Sequence, residues 1–110
     1  MVEEDTEGGI EEEPSYQEEY EREYLERIRE VVRGYLSYPL IARRMGWEGT
    51  VVVCFTLYPD GAIGNLRVEK SSGFDLLDRN ALRAVSSAAL HFPRPREPVT
   101  VVLPITYRLE

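Results

Sequence analysis

Cys54 and His91 are the only residues of their types in this 110-residue sequence, and a thiol beside an imidazole is the pair that nucleophilic catalysis would require. By sequence they lie far apart: Cys54 alternates within a β-strand pattern, on the face opposite the apolar residues, and His91 falls at the far end of a helical pattern. As metal ligands the two are one or two short of a zinc site. Ser86 and Ser87 sit in no Gly-x-Ser-x-Gly elbow, and the sequence contains no phosphate-cradling glycine loop. Glu11 to Glu13 form an acidic run without a helper ligand. Arg43, Arg44, Arg94 and Arg96 could share a basic face. No catalytic set, metal site or cofactor is expected from this inventory, and the function is that of a binding module.

Charge argues in the same direction. Residues 1–30 hold 13 acidic and 3 basic side chains, whereas residues 31–110 hold 7 acidic and 10 basic. A net charge of only +3 on the body, beside −10 at the front, is a poor footprint for a phosphate backbone, so nucleic acid is not an expected partner. No apolar run approaches the roughly 18–20 residues that span a bilayer, and the N-terminus lacks a signal-peptide pattern. The chain is expected to be soluble as it stands, including as the soluble piece of an anchored protein. Residues 1–14 are acidic, carry a Gly pair and offer almost nothing to bury, so a disordered linker or tail is expected there. Residues 15–110 form one domain. A single cysteine leaves the redox compartment unassigned.

The elements follow from periodicity. Ser15 and Glu18 make a capping-box pair that opens a helix to about Leu36, with Tyr20, Tyr24, Ile28, Val31 or Val32, and Tyr35 on one stripe. Its first two turns could outrun the sheet and stand free. Pro39 starts a short second helix in which Leu40, Ile41 and Met45 are expected to face the sheet and Arg43 and Arg44 water, closed by Gly46. Trp47 is expected to plug a core edge. Val51, Val53, Phe55 and Leu57 alternate as a strand, Pro59-Asp60-Gly61 reverses the chain, and Ile63, Leu66 and Val68 return. Ile63 and Leu66 have opposite parity, which calls for a bulge at Gly64-Asn65. Asp75, with Asp78 at the third position, opens another helix carrying Leu77, Ala81, Val85 and Ala88 or Ala89 on its buried stripe. Residues 91–98 hold three prolines and are expected to be extended and non-helical, anchored by Phe92. Val101, Leu103, Ile105, Tyr107 and Leu109 then alternate as the last strand. The expected class is α+β: two main helices on one face of a three-stranded antiparallel sheet in the order α-β-β-α-β, plus the short helix after Pro39.

Pro104 stands in the middle of the last strand, where it has no N–H to give to a ladder, so that strand belongs at a sheet edge with its proline nitrogen turned outward. Backbone groups of alternate residues share a side. Thr100, Val102, Thr106 and Arg108 then offer their backbone groups outward with Pro104, and this edge is the candidate site for an added peptide strand. Blocking such addition is the other purpose a mid-strand proline can serve.

The sequence also resembles a known family. Tyr38-Pro39, Ala42-Arg43, Gly49-Thr50-Val51-Val52-Val53, Phe55, Asp60-Gly61, Ser71-Ser72-Gly73, Leu77-Asp78, Ala81, Ala84-Val85, Phe92-Pro93 and Leu103 to Leu109 occur in the order and spacing of the C-terminal domain of the TonB family of energy transducers. This resemblance covers about residues 25–109. It implies a periplasmic, non-enzymatic domain of an inner-membrane-anchored protein. It further implies docking of an extended N-terminal segment of outer-membrane TonB-dependent transporters along the last strand, with a second partner region around Tyr38-Pro39, and energy supplied by an inner-membrane proton-driven motor complex. Two alternatives use the same scaffold: a TolA-like envelope-integrity domain, and a homodimer formed when the edge pairs with its own copy.

Overall fold

A computed structural model of the chain describes residues 14–110; the expectations for residues 1–13, the acidic run Glu11 to Glu13 included, lie outside the described part. The elements are α1 (Tyr16–Arg33), α2 (Leu40–Met45), β1 (Gly49–Leu57), β2 (Ile63–Lys70), α3 (Asp75–Ala88), a single 3-10 turn (Ala89–His91) and β3 (Val99–Tyr107). The three strands form one antiparallel sheet in the order β2-β1-β3, so β1 is central and β3 is an edge. This is the expected α+β arrangement, and the mid-strand proline lies where a missing donor is tolerated.

Alternation in β1 and β3 makes the core. Val51, Val53, Phe55, Leu57, Val99, Val101, Leu103, Ile105 and Tyr107 are all buried on the helical side of the sheet. Against them α1 brings Tyr20, Ile28 and Val32, and α3 brings Leu77, Ala81, Val85 and Ala88. Phe92 anchors the proline-rich segment as expected, stacked on Phe55 with ring centroids 5.7 Å apart. That segment is non-helical from Phe92 onward but bends at Arg96 and Glu97, and His91 itself closes the 3-10 turn. Trp47 stacks on Phe74 at 5.0 Å and seals the end of the sheet where β1 begins.

The hairpin reverses through Tyr58 to Gly61, with Gly61 donating to the Tyr58 carbonyl at 2.9 Å and Asp60 Oδ1 accepting from the Ala62 N–H at 2.9 Å. Two steps along β1, Cys54 to Thr56, are matched by three along β2, Arg67 to Gly64. The extra residue is absorbed at Asn65, whose φ is +53°, and Ile63, Leu66 and Val68 all reach the core. A second irregularity, opposite Val52 and Val53, had no sequence signal.

Three local readings change. α1 ends at Arg33 because Gly34 and the following turn close it, short of Leu36. The first turns of α1 do not stand free: Tyr20 is buried and donates its hydroxyl hydrogen to the Pro93 carbonyl. On α2, Leu40, Ile41 and Met45 are each more than 60% exposed, and the residue that packs inward is Ala42, fully buried. Six residues make less than two turns, so only one position can meet the sheet closely, and the small side chain takes it.

The end of β2 is tied to α3 by a network that the cap reading placed on the wrong residue. Phe74 is the N-cap and gives no side-chain bond. Asp78 reaches back instead: its carboxylate accepts from Ser71 Oγ at 2.5 Å, the Ser72 N–H at 2.9 Å and Ser72 Oγ at 2.7 Å. Burial pushes this carboxyl up, but the three hydrogen bonds outweigh it and hold it below the usual aspartate value. Gly49 completes the joint, since a Cβ there would come within 2.7 Å of the Ser72 carbonyl oxygen.

A carboxyl with a lowered folded-state pKa stabilises fully above its unfolded value, about 3.9, and loses that contribution as pH falls through the folded value. Asp78→Asn is expected to lose about 1–3 kcal/mol at neutral pH and to show a shallower acid limb than the parent in a Tm-against-pH series. Equal Tm values at pH 7 would show that the network carries no stability. Ile41→Ser, by contrast, is expected to stay within about 0.5 kcal/mol of the parent in urea unfolding; a loss of 2 kcal/mol or more, on the scale of a core truncation, would mean that α2 turns its apolar residues inward.

Candidate functional site

The register of β3 on β1 fixes which backbone groups face out. Val52 stands opposite Pro104, Cys54 opposite Val102, Thr56 opposite Thr100 and Thr50 opposite Thr106. A hydrogen-bonded antiparallel pair exchanges both N–H···O bonds, which Pro104 cannot do, so these even-numbered pairs are the non-hydrogen-bonded ones. Thr100 demonstrates it directly. Its N–H donates to Gln17 Oε1 at 2.9 Å and its carbonyl accepts from Gln17 Nε2 at 2.7 Å, both outside the sheet. By the same parity Val102 and Thr106 direct N–H and C=O to the open side, and Pro104 its carbonyl alone.

Thr100, Val102, Pro104, Thr106 and Arg108 are all exposed on the face of the sheet away from the helices. Thr50 and Thr106 join their hydroxyls across that face at 3.0 Å. Arg108 lies one residue beyond the strand end, and the Leu109 N–H turns back to Glu48 Oε2 at 2.8 Å. The chain therefore keeps its alternation one residue past the ladder.

Beside the edge runs a groove of about 370 Å³, lined by Arg29, Val32 and Arg33 from the end of α1, by Leu36 just beyond it and by Leu103 to Thr106 of β3. Periodicity gave no warning of it, because its lining comes from two elements far apart in sequence. Its floor is apolar and its helical wall carries two guanidinium groups. Since Gln17 meets Thr100 and Arg29 to Leu36 flank Leu103 to Thr106, α1 runs in the same direction as β3 and borders the whole edge.

Tyr38 and Pro39 are placed at the other end of β3. The Tyr38 hydroxyl donates to the Trp47 carbonyl, and its ring meets Tyr107 edge-on at 5.4 Å. Tyr107 donates in turn to Asn80 Oδ1 at 2.5 Å, and burial raises its hydroxyl pKa. Tyr38 is thus a packing residue, half-buried, that holds the link between α1 and α2 onto the end of β3.

The other candidates do not assemble. Cys54 is buried at 3% exposure on the sheet face away from the helices, while His91 stacks on Tyr35 at 5.8 Å. Ser86 and Ser87 are exposed on α3. Among the described residues no group of three or more His, Cys, Asp or Glu is placed to hold a metal ion. Arg94 lies against Gly61 at the β1–β2 turn, whereas Arg43 and Arg44 lie on α2, which leads into the opposite end of β1. A nine-residue strand, about 30 Å at 3.3 Å per residue, separates the pairs, so the four arginines share no face. Among the described residues no helix is long and apolar enough to cross a membrane.

Comparison with known proteins agrees with the fold. The family model for the Gram-negative bacterial TonB protein C-terminal matches residues 34–109. The chain is 37% identical over 105 residues to protein TonB of Helicobacter pylori strain 26695, covering 96% of this chain and 37% of that protein. It is 32% identical over 87 residues to protein TonB of Campylobacter coli, covering 79% of this chain and 38% of that one. It spans little more than a third of the length of these relatives. The solution structure of the Helicobacter pylori TonB-CTD superposes with a TM-score of 0.76 at 36% identity, covering 91% of this chain and 97% of that one. The match of the family model over most of the described chain, the identity to these relatives and the shared fold place this chain in the TonB C-terminal domain family.

Proposed function

We propose that this domain is a non-enzymatic periplasmic coupler that grips an extended N-terminal segment of an outer-membrane TonB-dependent transporter by strand addition on β3. It passes on energy supplied by an inner-membrane proton-driven motor complex through parts of the protein beyond this domain. The observation that carries the reading is the outward pair of backbone groups demonstrated at Thr100 and repeated by parity at Val102 and Thr106. An edge strand with open donors and acceptors is a template for another strand.

Each main-chain hydrogen bond is worth about 0.5–1.5 kcal/mol net, so the few that β3 offers support weak to moderate affinity. Transient coupling needs no more. A ladder loaded along its length shares a pull among all its bonds, whereas one opened from an end breaks them one at a time. The groove beside Leu103 to Thr106 receives the alternate side chains of an added strand that point toward α1. Its apolar floor with Arg29 and Arg33 on the wall favours a segment that pairs an apolar residue with a carboxylate, since guanidinium groups bind carboxylates well.

Val102→Pro removes one outward donor at a position whose inner side makes no ladder bond. It is expected to fold like the parent and to bind transporter N-terminal peptides about tenfold more weakly in calorimetry, while Val102→Ala stays within about threefold. A folded Val102→Pro that binds as tightly as the parent would remove β3 as the docking edge. Arg33→Glu is expected to weaken the same peptides and to flatten the salt dependence of binding.

A further inference from the structure

We propose that Gln17 sets the register of the docking edge: its carboxamide takes the place of an added strand at Thr100 and confines an incoming extended peptide to the stretch from Val102 to Arg108. This rests on the reading of β3 as the docking edge. In an antiparallel ladder a partner residue offers one donor and one acceptor, side by side, to the residue opposite. The Gln17 side chain does the same, with Oε1 accepting from the Thr100 N–H at 2.9 Å and Nε2 donating to the Thr100 carbonyl at 2.7 Å. The second hydrogen on Nε2 goes to Glu21 Oε2 at 2.7 Å. A reversed carboxamide would face like against like at all three partners, so its orientation is fixed by its surroundings.

Exchanging a carboxamide for a peptide group is close to neutral in hydrogen-bond count, so the slot alone would not stop an incoming strand. The stop comes from the backbone that carries Gln17. The first turn of α1 is closed by the reciprocal bonds between Ser15 and Glu18. It is also stapled to the segment leading into β3: the Tyr16 hydroxyl accepts from the Arg96 N–H at 2.9 Å, the Arg96 guanidinium lies 4.3 Å from the Tyr16 ring centroid, and Tyr20 donates to the Pro93 carbonyl. Burial and the neighbouring Tyr16 and Tyr24 push the Tyr20 hydroxyl up to about 12, so it remains a donor throughout the neutral range. Withdrawing Gln17 by moving its helix means breaking these contacts together. The consequence is a docking edge with one closed end. An added strand cannot pass Thr100, so registers that would place a partner residue over Thr100 are removed and only those over Val102 to Arg108 remain.

Two readouts on the full chain test this. Amide hydrogen exchange reads the slot without a ligand. Thr100 is expected to exchange about tenfold more slowly than Val102 and Thr106 in the parent. It should match them in Gln17→Ala, which removes the acceptor of its N–H. Synthetic peptides copied from the N-terminal segment of an outer-membrane TonB-dependent transporter, made with and without two further residues over Thr100, read the register. Both lengths are expected to bind the parent with the same Kd within about twofold, and the longer one to gain about three- to tenfold on Gln17→Ala, as a further pair of main-chain hydrogen bonds allows. The stop is overturned if the longer peptide binds the parent more tightly with the Thr100 amide perturbed, or if Thr100 exchanges as fast as Val102 in the parent. Slow exchange at Thr100 with no peptide binding to either form would overturn both the docking reading and the stop, leaving Gln17 as a structural clamp; binding to both forms with no length effect in Gln17→Ala would overturn the stop alone.

Discussion

Pro104 has no amide hydrogen to donate, and the orientation of everything around β3 follows from that. The strand can pair on one side only, so it lies at the edge of the sheet and turns its even-numbered backbone groups outward. Its odd-numbered side chains then face the helices, which is why Val99 to Tyr107 alternate buried and exposed without exception. One missing donor sets the strand's place, its face and its register against β1. The same proline leaves the middle of the edge with a carbonyl and no N–H.

α1 is the second determinant, and it acts at both ends of the edge. Near its start it is held against the proline-rich segment and closes Thr100 with a side chain; near its end it lines a groove beside β3 with two guanidinium groups. Packing the amphipathic helix over the core creates both features, since Tyr20, Ile28 and Val32 fix the rotation of the helix and hence where Gln17, Arg29 and Arg33 point. Core and exposed edge are therefore parts of one arrangement. The joint of Gly49, Ser71, Ser72 and Asp78 does the corresponding work toward the β2 edge of the same face, holding α3 under β1 and β2.

Much of this was legible in the sequence because it rests on periodicity and on residues with one strong physical property. The alternation from Val51 to Leu57 and from Val99 to Tyr107, the turn at Pro59-Asp60-Gly61, the bulge implied by the parity of Ile63 and Leu66, and the edge assignment from Pro104 all have that character. What escaped depends on distance in three dimensions. Leu40, Ile41 and Met45 look like a buried stripe, and only the shortness of α2 and the fit of Ala42 leave them exposed. Asp78 reads as an ordinary first-turn acid until Ser71 and Ser72 are brought within reach of its carboxylate. The bond between Gln17 and Thr100 spans 83 positions of sequence and has no local signature, although a glutamine between two tyrosines that pack on the strand's approach was a position from which to look for one.

The most direct test of strand addition on β3 is an amide NMR titration of the domain with peptides copied from the N-terminal segments of outer-membrane TonB-dependent transporters. The largest shifts are expected at Val102, Thr106 and Arg108 and at the groove residues Arg29 and Arg33, with α3 and β2 nearly unmoved. Shifts centred on α2 or on the outer face of β2, with Val102 and Thr106 unchanged in a folded and saturated domain, would contradict it.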